Sequence, residues 1–235
     1  VNNHLPTGLY NAMIHPLHPF AIKGAIWYQG ESNVGRAEQY KILFPAMIRS
    51  WRKAWGQIFP FYFVQIAPYP YSGIENSEAA ELRSAQNQTL SLPMTGQAVI
   101  LDIGSTSTIH PPDKEDVGER LARWALAKDY GHEKVAYSGP VCTAAKKRWR
   151  RIILDFDPGS DKLVTGDEGL HGFEVVYPDG SVSSVKASLR RNKVVLSLQS
   201  RQDPIEVRYA WKNSSTASLF NSAGLPASTL TITVN

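Results

Sequence analysis

The sequence predicts an α/β region with a parallel sheet, followed by an all-β region. In residues 1–136, apolar runs alternate with stretches in which apolar residues recur every three or four positions, the pattern of strands connected by helices. In residues 137–235, the runs are short, alternate in polarity and are separated by turn residues. We therefore expect two domains, residues 1–136 and 137–235, the second a sandwich-like antiparallel fold.

Three strands and three helices are expected in the first region. Helix 37–55 has the clearest pattern, with an apolar stripe at spacings of three and four, although Pro45 should kink or split it. The apolar runs and periodic stretches predict strands at 23–28, 59–67 and 98–103, and further helices at 75–92 and 114–130.

The second region should consist of strands alone. A basic cluster at 146–151 could contact nucleic acid, but Trp149 lies within it and an apolar run follows, which favours a solvated strand edge. The expected strands are 151–156, 164–165, 173–176, 182–187, 193–198, 206–211 and 229–234, with turns at 157–159, 178–180 and 191–192.

Composition excludes several classes of protein. The chain has 235 residues, of which 43% are hydrophobic and 20% charged, and a net charge of +4, an ordinary globular balance. The single cysteine, Cys142, cannot form an internal disulfide and has no partners at metal-site spacing. No apolar run approaches the roughly 18 residues that a membrane span needs. We expect no metal, no cofactor, and neither nucleic acid nor membrane as a partner.

The most informative segment is the polar turn that follows the first predicted strand. An apolar run ends abruptly at Gln29, Gly30 and Glu31, at the edge of the sheet where ligands of α/β proteins bind. The Gln29 side-chain amide and the Gly30 backbone N–H could donate hydrogen bonds to an oxyanion. Glu31 could anchor the site or cap the following helix, and Ser32 is a candidate nucleophile that does not lie in a G-x-S-x-G elbow.

A second polar cluster follows the third predicted strand. His110 precedes two prolines and a helix start, which fix its position, and an imidazole can act as a general base near neutral pH. Asp102, at the predicted strand end, could orient that imidazole as in a Ser–His–Asp triad. A surface histidine and a loop aspartate remain the alternatives.

These motifs resemble the sialate O-acetylesterase family within the SGNH hydrolase superfamily. The resemblance runs nearly end to end. It is carried by LYNAMI with Pro16, by IKGAIWYQGESN, by DIG with IHP and DK, and in the β region by VRYAW, LFN and GLPAS. The WYQGESN string and the IHP loop are its most specific parts.

The resemblance implies a serine-type carboxylic ester hydrolase that removes acetyl groups from sugar hydroxyls through an acyl-serine. It makes His110 the base and places Gln29 and Gly30, with Glu31 beside them, in the oxyanion and substrate region. The aspartate that many superfamily members carry two or three residues before the histidine is replaced here by Ser107 and Thr108. The third triad member is then Asp102, or a backbone carbonyl assists a Ser–His dyad.

The family carries its nucleophile in a GQSN-like segment upstream of anything in this sequence. The SGNH-like sheet is therefore expected to be incomplete here, with the N-terminal half of the enzyme as a second chain or a missing segment. The resemblance also implies a secreted, periplasmic or lysosomal protein that acts on an acetylated sugar or polysaccharide. The alternative is a non-catalytic carbohydrate-binding or interaction module that keeps the fold.

Overall fold

A three-stranded parallel sheet organises the first half of the chain. The computed structural model describes residues 5–105, 107–157 and 162–235. The strands, in spatial order, are β1 (Ala25–Trp27), β2 (Phe61–Val64) and β3 (Thr95–Ala98), and the helices are α1 (Ala37–Trp55), α2 (Glu78–Gln88) and α3 (Lys114–Asp129). The predicted parallel sheet with intervening helices is confirmed.

The central strand β2 is covered on both faces, which explains why its sequence is apolar throughout. Phe61 and Phe63 pack with α1 and α2, whereas Tyr62 and Val64 pack with α3 on the other face. This alternation follows from the two-residue period of a strand. In the described part of the chain, no helix is both long and apolar enough to cross a lipid bilayer.

Helix α1 has the predicted bounds but is one helix across Pro45, so the predicted split is wrong. Proline removes only one backbone hydrogen bond, and the buried stripe of Tyr40, Phe44 and Ile48 holds both halves against the sheet. Gly56, at φ +66°, ends the helix in the left-handed conformation that glycine adopts readily.

The third strand was misplaced by the sequence pattern, since it spans Thr95–Ala98 and not 98–103. Its ladder partners are the four residues of β2, after which the chain turns away. Val99 and Leu101 are apolar because they pack into the core of the β region. Asp102 consequently lies in a turn beyond the strand. Apart from α1, the other predicted elements of the first region are shorter than expected at one or both ends, and a short 3₁₀ helix, Thr89–Ser91, follows α2.

The second half of the chain contains ten strands, counted over the described residues. Two of them, β4 and β12, were not predicted, and the run 182–187 proves to be two strands. The bounds are β4 (Val141–Arg148), β5 (Arg151–Asp157), β6 (Leu163–Thr165), β7 (Phe173–Val176), β8 (Val182–Ser184), β9 (Lys186–Arg190), β10 (Lys193–Ser197), β11 (Glu206–Tyr209), β12 (Leu219–Asn221) and β13 (Leu230–Thr233).

These strands form antiparallel sheets in the orders β4-β5-β10-β9 and β13-β11-β7-β8, with β6 and β12 as a separate pair. Both four-stranded sheets contribute to one buried core, the first through Ile152 and Leu196, the second through Val175 and Val207. The basic cluster occupies β4, an edge strand, and the turn into β5. Most of the predicted 157–159 turn lies outside the described residues.

Buried polar contacts join the two regions. Arg83 of α2 is fully buried and donates to Thr229 Oγ1 (2.8 Å) and to the carbonyl oxygens of Ala210 (3.3 Å) and Lys212 (2.5 Å). The side chain of Asn213 donates to the Gly73 carbonyl (2.9 Å) in the loop before α2. The loops that follow the parallel strands are therefore fixed against the β region.

Candidate active site

The turn after β1 requires glycine at position 30. Gly30 has φ +154°, and a Cβ atom there would lie 2.8 Å from Ile66 Cγ2 and 3.3 Å from Gln86 Nε2. Neither distance leaves room for a side chain. The turn is therefore pressed against the end of β2 and against α2, and a short 3₁₀ turn, Glu31–Asn33, follows it.

The amide of Gln29 is held in a hydrogen-bond network. Its Nε2 donates to Asn33 Oδ1 (2.8 Å), and its Oε1 accepts from the hydroxyl of Tyr40 (3.2 Å). The Gln29 carbonyl also accepts from Gln86 Nε2, at 3.4 Å. Within the described residues, the second N–H of the Gln29 amide and the backbone N–H of Gly30 have no acceptor. Two donors therefore remain available at this turn.

Two buried tyrosine hydroxyls lie near Glu31. No role in the site was predicted for Tyr28, whereas the aromatic-proline loop 68–71, which contains Tyr71, could be a sugar-stacking platform or a rigid surface loop. Neither Tyr28 Oη nor Tyr71 Oη has a hydrogen-bond partner among the residues the structure describes. Burial, and to a lesser extent the charge of Glu31, raises the pKa of both phenols, so both are neutral donors. Tyr71 is held at φ +45°, an uncommon conformation for a bulky residue.

His110 lies in an exposed loop before α3. Its backbone N–H donates to Thr108 Oγ1 (3.1 Å), and Asp113 caps the helix by accepting from the N–H of Asp116 (3.2 Å). The imidazole forms no hydrogen bond with any other described residue. The ring is therefore open to solvent on a loop that is anchored at its helix end.

The segments that carry the two predicted clusters touch beyond the carboxyl ends of the parallel strands. Lys114 Nζ, four residues after His110, lies 4.7 Å from the ring centre of Tyr28, which precedes the Gln29 turn. A Cβ on Gly104 would lie 2.5 Å from Pro68 Cδ, so the loops after β2 and β3 also touch. Lys114 belongs to the DK pair that carries the family resemblance, but no role in the site was predicted for it.

Asp102 is paired with Arg120, and no hydrogen bond joins it to His110 among the described residues. Both carboxylate oxygens accept from the guanidinium at 2.6 Å. Arg120 is buried and also donates to the carbonyl of Val99 (2.6 Å). This bidentate pair fixes the base of the loop that leads to His110. The proposed orienting role of Asp102 stays a prediction.

The described ranges contain no cluster of three or more histidine, cysteine or acidic residues with the geometry of a metal site. Cys142 is half-buried, and burial raises the pKa of its thiol to about 12, so the thiol stays protonated at neutral pH. It is not an activated nucleophile.

Comparison with known proteins gives consistent matches. Residues 3–126 match the family model described as carbohydrate esterase, sialic acid-specific acetylesterase. The sialate O-acetylesterases of Mus musculus and Homo sapiens are 36% and 34% identical over 152 residues, which is 57% of this chain but only 28% and 29% of theirs.

A solved structure extends the likeness to the β region. The crystal structure of a novel carbohydrate acetylesterase from Xanthomonas citri superposes with a TM-score of 0.91 at 41% identity. The match covers 98% of this chain and 55% of that one. The chain therefore spans about half the length of this structural relative, and less than a third of the curated ones.

Proposed function

Because the chain belongs to the sialic acid-specific carbohydrate esterase family, we propose that it carries the base and oxyanion side of a serine O-acetylesterase. The substrate is an acetyl ester on a sugar or polysaccharide hydroxyl. One observation supports the proposal: the contact between Lys114 and Tyr28 joins the start of α3, four residues after His110, to the residue before the Gln29 turn, at one edge of a parallel sheet. Acyl transfer needs base and oxyanion donors around one carbon.

In the proposed reaction, His110 takes the proton from a serine hydroxyl as its oxygen attacks the acetyl carbonyl. The carbonyl oxygen becomes an oxyanion that accepts from the Gly30 backbone N–H and the second N–H of the Gln29 amide. Protonated His110 then gives its proton to the departing sugar oxygen, and the acyl-serine remains. Water, deprotonated by His110, releases acetate and restores the serine.

We assign Glu31 to substrate binding. Its carboxylate has no hydrogen-bond donor among the described residues, and Tyr28 and Tyr71 place neutral hydroxyls in its neighbourhood. A sugar hydroxyl could donate to Glu31, and a second substrate oxygen could accept from a tyrosine. Such a polar, uncharged set of donors beside one carboxylate suits a polyhydroxylated ligand.

The orienting partner of His110 is open between Asp102 and a backbone carbonyl. The substitution Asp102→Asn distinguishes these two alternatives. If Asp102 acts directly on the imidazole, kcat falls by about 10⁴ with the fold intact. If Asp102 only anchors the loop through Arg120, the melting temperature falls and most of kcat survives. Steady-state kinetics and a thermal melt on the same protein distinguish the two.

The nucleophilic serine is proposed to come from an upstream segment or a second chain. Strand β1 is an edge strand of the described sheet. Two isoleucines nearby in the chain are largely exposed: Ile26 within β1 (69%) and Ile42 in α1 (71%). An unpaired strand edge with exposed apolar side chains is a pairing surface. This chain matches 55% of the Xanthomonas citri relative, so that protein has additional residues that could pair with such an edge.

On this proposal the parallel sheet is part of an SGNH-like hydrolase domain, residues 1–136, and residues 137–235 form a sandwich-like β domain. The enzyme acts outside the cytoplasm, as a secreted, periplasmic or lysosomal protein. The competing proposal is a carbohydrate-binding module without catalytic activity. It is favoured by the lack of any hydrogen bond to the His110 ring within the described residues.

The deciding experiment uses the full hydrolase, with the upstream part present. His110→Ala should lower deacetylation of an aryl acetate by several orders of magnitude. His132→Ala is the matched control, because His132 is also exposed and, among the described residues, forms hydrogen bonds through its backbone alone. Equal turnover in both variants would remove His110 from the mechanism.

A serine-directed phosphonate locates the nucleophile. Mass spectrometry should find the adduct outside this chain's residues and leave Ser32 unmodified. An adduct on Ser32, with activity from this chain alone, contradicts the proposal that the serine lies upstream. No adduct and no activity in the full hydrolase supports the binding module.

A further inference from the structure

A cavity of about 280 Å³ lies where α2, β3 and α3 meet the start of β13 and the segment 138–142. None of the residues proposed for the esterase site lines it. Its wall is mostly apolar and carries no charged side chain, with Leu90, Val99, Trp124, Val141 and Leu230 supplying much of the surface. A cavity of this size and character is typical of a site for a small molecule.

One buried amide in this wall lacks a partner. Gln97 of β3 is only 5% exposed, and its Nε2 has no hydrogen-bond acceptor among the described residues. The backbone carbonyl of Gln97 is occupied, since it accepts from the indole N–H of Trp124 at 2.9 Å. An unpaired buried donor costs stability. Because Nε2 itself has almost no accessible surface, the amide must rotate toward the cavity before a ligand oxygen can accept from it.

The surroundings restrict the chemistry of the ligand. The Trp124 ring stacks on Tyr62 at 5.8 Å and packs at a tilt against Tyr137 at 4.6 Å between ring centres, so at least one of its faces is already covered by an aromatic ring. No cation in the wall can bind a carboxylate or phosphate. Leu90 and Val141, 41% and 55% exposed, supply an apolar rim.

We infer that this cavity is a second ligand site, for a small uncharged molecule with a ring-sized apolar body and one carbonyl oxygen. The apolar body lies among Leu90, Val99 and Leu230, and the carbonyl accepts from Gln97 Nε2. The ligand differs from a sugar ester, so the two sites are independent. Binding here bridges α2, α3 and β13, the elements on both sides of the junction between the two regions.

The test uses the full chain and a pair of probes of equal shape. Acetophenone carries the carbonyl, and isopropylbenzene replaces its oxygen with a methyl group. Titration is followed by NMR through the Trp124 indole N–H, which is assigned by its loss in Trp124→Phe. Acetophenone should shift this signal with a half-saturation on the order of a millimolar, as expected for nine heavy atoms. Isopropylbenzene cannot accept a hydrogen bond and is the reference probe, so the ratio of the two affinities is compared between the wild-type chain and a variant without the Gln97 donor.

Three variants locate the site. Val141→Trp should fill the mouth and abolish the shift, while Val182→Trp, at a similarly exposed strand position away from the cavity, should leave it unchanged. Gln97→Leu should lower the ratio of acetophenone affinity to isopropylbenzene affinity about fivefold, the effect of one hydrogen bond. The inference is overturned if neither probe shifts the signal, if that ratio is unchanged in Gln97→Leu, or if Val182→Trp weakens binding as much as Val141→Trp.

Discussion

Arg83 provides the sharpest test of how the two halves of the chain are held together. It is a fully buried guanidinium, and burial lowers its pKa to about 10, which still leaves it charged at neutral pH. No carboxylate pairs with it within the described residues. Its charge is instead balanced by oxygen acceptors of the β region, so its removal should weaken the junction.

The magnitude follows from those acceptors. Arg83 donates to Thr229 Oγ1 and to the carbonyls of Ala210, Lys212 and Asn213. At a net contribution of about 1 kcal/mol for each bond, Arg83→Ala loses about 4 kcal/mol from the bonds. The vacated volume adds a cavity cost, and relief of the buried charge offsets part of the total. We expect a net loss of about 3–5 kcal/mol in the free energy of unfolding.

Arg83→Met separates hydrogen bonding from volume. Each carbonyl acceptor keeps another donor: Thr229 Oγ1 for Ala210, the Ser215 N–H for Lys212 and the Tyr69 N–H for Asn213. Among the described residues, no carbonyl is left without a partner in either variant, and both variants lose the same four bonds. Methionine fills most of the space and so avoids most of the cavity cost. With the buried charge also relieved, its cost should be about 1–2 kcal/mol.

The assay is urea unfolding followed by far-ultraviolet circular dichroism, with the midpoint and slope compared between variants. Arg49→Ala, on the exposed face of α1, is the control and should change stability by less than about 0.5 kcal/mol. If Arg83→Ala costs less than about 1 kcal/mol, or no more than Arg49→Ala, the junction does not depend on this side chain and the reasoning fails.

Three further predictions concern backbone and charge. Gly30→Ala should lower the melting temperature and the esterase activity together, because its Cβ meets Ile66 Cγ2 at 2.8 Å; a melting curve identical to wild type contradicts this. Gly118→Ala, with open space around its Cβ in α3, should stabilise by roughly 0.5–1 kcal/mol in the same urea assay, and any loss counts against it. The hydrogen bond from Lys193, the largest cause, lowers the pKa of Asp155, so its stabilisation exists above the unfolded-state pKa and disappears as pH falls through the folded one. Asp155→Asn should therefore be destabilising at pH 7 and progressively less destabilising as the pH is lowered below the unfolded-state pKa in thermal melts; a cost that does not change with pH refutes the linkage.

The sequence alone determined the order and type of the first elements. Helix α1 was predicted to the residue, because its apolar stripe and Gly56 are local signals. The polar turn at Gln29 and the His110 loop were identified for the same reason: each interrupts an apolar run at a position where a parallel sheet presents side chains. The resemblance to a known family supplied the proposed chemistry.

The third strand could not be placed from its sequence. Val99 and Leu101 are as apolar as strand residues, but they are buried by side chains more than 40 residues away in the chain. Strand β4 could not be predicted either. It is an edge strand whose second half carries two lysines and an arginine, so it lacks the apolar pattern of a strand that is covered on both faces. An apolar pattern in the sequence indicates that residues are buried, but it does not indicate which other part of the protein buries them.

Only the tertiary structure decided the partners of the polar side chains. Asp102 looked available to His110 in the sequence, yet Arg120, on α3, holds both of its oxygens. Likewise, Lys114 and Tyr28 are 86 positions apart and meet only because parallel strands end at the same edge of the sheet. A chain order constrains neighbours along the backbone, whereas hydrogen bonds and ion pairs form between whichever groups the packing of the sheet and helices brings within reach.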